Sequence, residues 1–256
     1  MNENNNTTYP KQPQPQEKEH PVQEKKLLLF ELKKILIEHR HRTEFKLHIY
    51  PNKHNFVTKN NLFVFIRPNT KDFLEFVFKH FDIGFWSSMT REDTYDILIS
   101  LLSRKQIDSV KIVLTQEDCS TFGDYVKDTI KPIYYKIVDR LWTNSNETKC
   151  YKKENVLLID HSSYKSVFNP PHVSIHPKTF NLLNLEKKDS ELMRLQNYLK
   201  HSLNVSSLHS YVRLNPYEAF DNPETEPEPE PIPYRRFQII TWFARLFERM
   251  CSPRQG

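Results

Sequence analysis

The chain has 256 residues, of which 38% are hydrophobic and 12% aromatic, enough to bury one substantial core in a single main domain. Its 3 glycines argue against a glycine-rich phosphate loop, and its 3 unclustered cysteines predict neither a disulfide framework nor a zinc site. The net charge of +5 is modest and spread along the chain without interleaved aromatic residues, so binding to nucleic acid is not predicted.

The N-terminal residues, 1–24, are polar and contain several prolines, so we expect a disordered tail. This stretch lacks the apolar core of a signal peptide and the Arg-rich amphipathic pattern of a transit peptide. No apolar run approaches the roughly 20 residues that a membrane span needs. These features favour the nucleus or the cytoplasm.

The first predicted elements are β-strands. Residues 25–32, KKLLLFEL, predict a central strand that ends on the carboxylate of Glu31 and leads into a loop with Lys33 and Lys34. A helix is the alternative, because the apolar residues also fit a helical period. Two more β-like stretches, FKLHIY and LFVFI, lie within residues 45–66 and predict strands on either side of a polar loop.

From there, helices alternate with strands. The helix after LFVFI has an aromatic core face formed by Phe73, Phe76, Val77, His80 and Phe81. Residues 82–88, DIGFWSS, predict a strand that ends in hydroxyl groups, among them Ser87. Thr90 then predicts the N-cap of a helix that runs to about Ser103.

The following segments supply two more strands and a helix. Residues 110–114 predict a short strand, and residues 131–142 a helix with Lys136 near its middle. Residues 155–159, NVLLI, predict a strand buried on both faces, with Asp160 at its carboxyl end. A carboxylate there is costly to bury unless a metal, a cation or several donors satisfy it, so Asp160 is a candidate site residue. An aspartate that caps the next turn is the alternative.

The C-terminal part divides into three segments. Residues 189–202 predict an amphipathic helix, and the domain is expected to end near residue 205. A linker, acidic and proline-rich at its end, follows over residues 206–233. Residues 234–251 predict a basic amphipathic helix that either docks on a partner groove or membrane surface, or folds back on its own domain.

This alternation predicts right-handed βαβ crossovers and an α/β fold with a doubly wound, mainly parallel sheet. In such a sheet the carboxyl ends of the strands face one crevice, where ligands bind. We therefore expect Glu31, Ser87 and Asp160 to lie close together.

Four segments resemble, in the right order, the motifs of the FCP-homology domain of the haloacid dehalogenase superfamily, the NLI-interacting-factor-like fold of the small C-terminal-domain phosphatases. The segments are residues 62–77, 84–98, 131–142 and 158–170, and the domain covers residues 25–205. In that family, a first aspartate attacks phosphorus and a second protonates the departing oxygen. Magnesium is held partly by the nucleophile and partly by the fourth-motif acid.

The resemblance implies a role for each candidate residue. It places Glu31 at the nucleophile and Lys33 at the general acid. It matches Ser87 to the residue whose hydroxyl holds the phosphoryl group, Lys136 to the cation that neutralises that group, and Asp160 to the metal ligand.

The departures from the family pattern fall on the bond-making groups. Glu31 keeps a carboxylate but adds a methylene, and in-line attack tolerates misplacement poorly. A lysine, with its ordinary pKa near about 10.4, is a weak acid at neutral pH and cannot act as a carboxylate base. The negative charges of two carboxylates, Glu31 and Asp160, are cancelled by the positive charges of two lysines, Lys33 and Lys136. We therefore expect Lys33 to pair with one carboxylate in place of the metal, which makes magnesium unnecessary.

Three functions are compatible with this pattern. The first is a catalytically impaired, cofactor-free pseudophosphatase that binds a protein partner, such as an extended phosphorylated segment. The second is an active protein serine/threonine phosphatase with Glu31 as nucleophile and Mg²⁺ on Asp160 and Glu31. The third is an FCP-like receptor subunit of the mitochondrial inner-membrane presequence translocase, against which the missing membrane span and transit peptide speak.

Overall fold

The computed structural model describes residues 25–41, 54–127, 129–144, 146, 148–182 and 189–220. The strands are β1 (Leu27–Phe30), β2 (Ile37–His41), β3 (Phe56–Val57), β4 (Leu62–Ile66), β5 (Asp82–Trp86), β6 (Ile112–Leu114), β7 (Val156–Ile159) and β8 (Ser174–Ile175). The helices are α1 (Thr70–His80), α2 (Arg91–Leu101), α3 (Arg104–Ser109), α4 (Leu141–Asn144), α5 (Glu191–His201) and α6 (Leu208–Leu214). The expected N-terminal tail, FKLHIY strand and C-terminal helix lie outside the described residues.

The main sheet has five parallel strands in the order β6-β5-β1-β7-β8. The central strand β1 pairs with both neighbours in register, so that Phe30 lies opposite Phe85 and Ile159. The predicted α/β fold with a mainly parallel sheet is confirmed, and the helical alternative for the first apolar run is wrong.

Both faces of the sheet are covered. Successive side chains of a strand point to opposite faces, and Leu28 and Phe30 of β1 pack into the larger core with α1, α2, α5 and α6. Leu27 and Leu29 pack on the other face, with Trp86 and residues of the loops around α4. All four residues of β1 are fully buried for this reason, which explains why the strand is a continuous apolar run.

A second, antiparallel sheet follows β1 in the chain, with the strand order β2-β4-β3. The LFVFI strand, β4, belongs to this sheet and not to the main one, although its strand character was predicted correctly. Its partner β2 was not predicted. The sequence IEHRH of β2 is polar at its C-terminal end, which lies half-buried or exposed.

The helices largely follow the prediction. The side chain of Thr90 caps α2 by accepting a hydrogen bond from the Asp93 amide, as predicted, and α5 buries the three leucines of its apolar face. In α1 the buried face is formed by Thr70, Phe73, Leu74 and Val77, whereas His80, which was expected there, is exposed. Among the helices of the described ranges, none is long and apolar enough to cross a bilayer.

The predicted helix over residues 131–142 is wrong. Residues 131–137 are non-helical, and Tyr135 pairs antiparallel with Ser120 through two backbone hydrogen bonds of 2.8 Å. Pro132 and Tyr125 also pair antiparallel, and the hydrogen bonds there are donated by the Val126 amide to the Lys131 carbonyl (2.8 Å) and by the Ile133 amide to the Asp124 carbonyl (2.9 Å). Proline and the aromatic residues beside it favour extended backbone, so this pairing prevails over the weak helical pattern. Only the last part of the segment is helical, as a short 3₁₀ turn followed by α4.

The expected domain boundary near residue 205 is also wrong. Helix α6 lies in the predicted linker, and Leu208, Tyr211 and Val212 pack into the main core. Beyond the helix, Tyr217 is 1% exposed, and its hydroxyl donates a 2.7 Å hydrogen bond to Glu191. The folded domain therefore continues at least to residue 220, because these aromatic side chains are needed to cover α5.

Gly84 is required by a close approach within the sheet. A Cβ atom at this position would lie 2.6 Å from Cγ2 of Ile112 and 2.7 Å from Cδ2 of Leu29. We expect Gly84→Ala to lower the free energy of unfolding by about 1–3 kcal/mol, because both neighbouring strands are packed and cannot move apart freely. Urea unfolding checks this. Adding Ile112→Ala should recover part of the loss, and equal unfolding midpoints of Gly84→Ala and the parent protein would contradict it.

Candidate functional site

The carboxyl ends of the central strands form a buried polar cluster. Glu31, Ser87 and Asp160 each directly follow the last residue of their strands, β1, β5 and β7. Because these strands pair in register, the three residues lie side by side at one edge of the sheet. The Glu31 amide donates to the carbonyl of Ile159 at 2.9 Å, which extends the β1–β7 pairing into the site. The sheet thus brings the three residues together, as the sequence predicts.

Lys136 joins the two carboxylates. Its Nζ atom lies 2.8 Å from Oε2 of Glu31 and 2.5 Å from Oδ2 of Asp160. The side chains of Lys136 and Asp160 are 0% exposed and that of Glu31 is 1% exposed. A buried ion pair requires good geometry and additional hydrogen bonds to offset desolvation, and both conditions are met here.

The carboxylate of Glu31 is surrounded by donors. Its Oε1 atom accepts hydrogen bonds from the amides of Leu32 (2.9 Å) and Lys33 (3.3 Å) and from the Ser87 hydroxyl (3.2 Å). Its Oε2 atom accepts from the amide (3.3 Å) and hydroxyl (3.1 Å) of Ser88, besides Lys136. The hydroxyl and ammonium groups expected to hold a phosphoryl group therefore bind this side chain instead.

Sequence reasoning missed two residues of the cluster, Ser88 and Lys165. Lys165 lies in the 3₁₀ turn Ser163–Ser166 after β7. Its Nζ atom is 3.0 Å from the Ser88 hydroxyl and 3.4 Å from Oε2 of Glu31, and its side chain is 12% exposed. A lysine five residues after Asp160, in the loop that leaves a site-forming strand, was the available signal.

Lys33 does not take the place predicted for it. Only its backbone amide contacts Glu31, and the charges that act on its half-buried ammonium are Glu38 and the nearby Lys131, Lys34 and Arg40. Burial is the main reason why its pKa is lowered. The expectation that Lys33 pairs with Glu31 or Asp160 is wrong, because within the described residues its ammonium forms no ion pair with either, and the carboxylate that acts on it is that of Glu38 in β2.

The charges of the cluster reinforce one another. Burial alone would raise the pKa of Glu31, but the ammonium groups of Lys136 and Lys165 outweigh it and lower the pKa to about 2. The same two lysines hold the pKa of Asp160 well below its usual range against the effect of burial. For Lys165, burial favours the neutral form, but Asp160 and Glu31 prevail and raise its pKa. Both carboxylates are therefore ionised at neutral pH.

His161 stands beside this cluster as a neutral side chain. Its Nδ1 atom lies 3.4 Å from Oδ1 of Asp160. Burial lowers the pKa of His161 to about 4, although the charge of Asp160 acts in the opposite direction. At neutral pH, His161 therefore adds no charge to the balance of the site.

The residues present do not fit a magnesium ion well. Magnesium takes six oxygen ligands in a near-octahedral arrangement, whereas the carboxylates of Glu31 and Asp160 are both bound by the ammonium of Lys136. Within the described ranges, no group of three or more His, Cys, Asp or Glu side chains could hold a metal ion. The metal-ligand roles that the resemblance implies for Asp160 and Glu31 thus conflict with their observed partners.

Solved structures with a similar fold include two of Fcp1, an RNA polymerase II CTD phosphatase. A beryllium fluoride-bound variant of the fission yeast protein gives a TM-score of 0.45 at 10% identity, covering 74% of this chain and 54% of its own. A second Fcp1 structure gives a TM-score of 0.43 at 12% identity, covering 88% of this chain and 62% of its own. With TM-scores below 0.5, these likenesses add nothing to the assignment.

Sequence comparison is more specific. The CTD phosphatase-like protein 355R of Invertebrate iridescent virus 3 is 25% identical over 143 residues, which cover 54% of this chain and 72% of the viral protein. The family model described as NLI interacting factor-like phosphatase matches residues 26–209. This match covers more than half of the chain and includes all residues of the cluster. The chain therefore belongs to the NLI interacting factor-like phosphatase family.

Proposed function

We propose that this protein is a member of the family with impaired phosphoryl transfer that acts by binding protein partners. The observation that carries the proposal is the self-occupied site. The Glu31 carboxylate takes up the donors of Ser87, Ser88 and Lys136, which would otherwise be available to a phosphoryl group. An anion that competes for them must displace a buried carboxylate from a lysine 2.8 Å away.

The carboxyl group that would carry out acid–base catalysis is missing as well. In a phosphatase of this kind, a carboxyl group near the nucleophile protonates the departing oxygen and later activates water. Lys33 stands at that position in the chain, but an ammonium is a weak acid at neutral pH, and the carboxylate whose charge acts on it is that of Glu38. The occupied donors of the site and the missing acid–base carboxyl group both reduce turnover.

An aromatic surface near the site supports the binding role. The rings of Phe122, Tyr135 and Phe168 contact one another, with centroids 4.8–5.6 Å apart. Phe122 is 54% exposed and Tyr125, in the same loop, is 59% exposed. Tyr135 directly precedes Lys136 and Phe168 lies three residues after Lys165, so two of the three rings come from the chain segments that carry the lysines of the cluster. Exposed aromatic groups of this kind are enriched where proteins bind one another.

Steady-state hydrolysis of a small aryl phosphate, with and without Mg²⁺, tests the catalytic part. We expect no turnover from the parent protein and Mg²⁺-dependent turnover from the double reversion Glu31→Asp with Lys33→Asp, which shortens the first side chain, restores the second carboxylate and gives the site the net negative charge that favours a divalent cation. Asp160→Asn in the double reversion should abolish the gain. Parent turnover within about a hundredfold of an active relative, a barrier difference under roughly 3 kcal/mol, would contradict the proposal.

Peptide binding tests the proposed role in binding protein partners. The viral relative named above is described as CTD phosphatase-like, so we propose fluorescence polarisation with CTD peptides, phosphorylated and unphosphorylated. We expect binding without hydrolysis, weakened by Phe122→Ser in the aromatic surface. Val57→Ser, at an exposed apolar residue of β3, is the matched control. Equal binding by the two variants would argue against the aromatic surface.

A further inference from the structure

The cluster contains a positive charge for each of its carboxylates. Glu31 and Asp160 contribute two negative charges, and Lys136 and Lys165 two positive ones, so the sum is zero. Lys136 contacts both carboxylates, and Lys165 approaches Glu31 from the side of Ser88. A divalent cation added to this arrangement would leave an excess of two positive charges in a buried site, which is costly.

The backbone holds Lys165 in position. The Lys136 amide donates a 2.9 Å hydrogen bond to the carbonyl of Lys165, so the segments that carry the two lysines are directly joined. The Asn169 amide group donates to the carbonyls of Lys136 (2.7 Å) and Ser166 (3.1 Å). The hydroxyl of Ser166 donates to the carbonyl of Ser163 at 2.9 Å and closes the turn.

The opposite side of the turn is tied to Asp160. One ring nitrogen of His176, Nδ1, lies 2.7 Å from the Asp160 carbonyl oxygen, and the other lies 3.2 Å from the Ser174 hydroxyl. The Ser174 hydroxyl in turn donates to Ser166 at 3.1 Å. Lys165 therefore projects from a turn fastened at both ends, unlike a surface lysine on a mobile loop.

We propose that the ammonium of Lys165 is a built-in cation that takes over the charge of a divalent metal ion at Glu31 and Asp160, and that its removal exposes a cation-binding site there. Without it, the cluster carries a net negative charge, and Oε2 of Glu31 and the Ser88 hydroxyl lose a donor. Oxygen groups of this kind suit Mg²⁺ and Mn²⁺. The inference rests on the charge of the cluster and not on the proposed binding of proteins.

Isothermal titration calorimetry with MnCl₂ and with MgCl₂ tests it, because the readout does not depend on activity. We expect no saturable binding by the parent protein at millimolar metal, and Mn²⁺ binding by Lys165→Met that is tighter by about tenfold or more, as loss of one nearby positive charge implies. Lys165→Arg keeps the charge and should behave like the parent. Lys33→Met is the matched control, since it removes a lysine charge two residues from Glu31 in the chain that, within the described residues, forms no ion pair with Glu31 or Asp160.

Two results would overturn the proposal. One is Mn²⁺ binding by the parent protein as tight as that of Lys165→Met, and the other is a folded Lys165→Met protein without any gain in binding. Circular dichroism establishes folding, and Lys165→Ala serves as a second charge-free variant if the methionine variant does not fold. Because activity is not measured, an active parent enzyme would refute the proposed function without affecting this result.

Discussion

Replacing Lys136 by methionine is expected to lower the free energy of unfolding by about 3–5 kcal/mol at pH 7. Methionine fills most of the volume, so the loss reflects the charge rather than a cavity. Without the ammonium, Asp160 loses its 2.5 Å partner and Glu31 its 2.8 Å partner, while both remain buried. Urea unfolding of the two proteins at pH 7 measures the difference.

A lysine on the surface provides the control. Lys59 is 89% exposed, and its Nζ atom is 4.0 Å from Asp96. Exposed pairs of this kind contribute between about 0 and 1 kcal/mol, so Lys59→Met should be nearly neutral. Both variants remove one ammonium from an ion pair, so the difference between their free energies of unfolding reports the effect of burying that pair.

The pH dependence of this variant distinguishes charge from packing. Loss of the Lys136 cation raises the pKa of Glu31 and Asp160, so both accept protons more readily as the pH falls. Their protonation removes the buried negative charge, and the stability gap between the variant and the parent protein should narrow towards acid pH. A gap that is the same at pH 7 and pH 4 would mean that lost packing, not unpaired charge, destabilises the variant.

Acid is expected to remove the contribution of Glu31 to the stability of the parent protein. The pKa of Glu31 is lowered from an ordinary value of 4.5 to about 2 in the folded state. A carboxyl group with a depressed pKa stabilises the fold fully above its unfolded-state pKa, and this stability is lost as the pH falls towards the folded-state value. The window for the loss is therefore between about pH 4.5 and about pH 2, and its size is on the order of 3 kcal/mol.

Glu31→Gln tests this assignment. The variant cannot ionise at position 31, so its stability should be lower than that of the parent at pH 7 and should fall less steeply between pH 4.5 and pH 2. Glu75→Gln, at an exposed position of α1, should leave both quantities unchanged. Urea midpoints at a series of pH values provide the measurement. Parallel pH curves for the parent protein and Glu31→Gln would show that Glu31 is not the titrating group.

Much of the fold was accessible from the sequence because it depends on local patterns. Continuous apolar runs marked β1 and β7, and a polar residue at the end of each run marked the edge of the sheet. The hydroxyl group of Thr90 marked the start of α2. The order of the motifs also identified the family, which the match over residues 26–209 confirms.

The errors arose where distant contacts outweigh local preference. Residues 131–137 are extended because they pair with residues 120–126, a contact that helical spacing cannot reveal. The supposed linker after residue 205 contains a helix because its buried side chains, such as Tyr211, cover α5. In both places, the contacts that decide the structure are made with residues outside the segment itself.

The sequence alone determined that Glu31, Ser87 and Asp160 meet, because parallel strands in register bring their carboxyl ends to one edge. It also determined that lysines balance the two carboxylates. Only the tertiary structure decided which lysines do so. Lys33 is two residues from Glu31 but contacts its carboxylate through the backbone amide, whereas the ammonium of Lys165, 134 residues away, reaches the Glu31 carboxylate. The direction of a side chain at the end of a strand depends on the turn that follows and on the loops packed against it, and residue order does not specify these contacts.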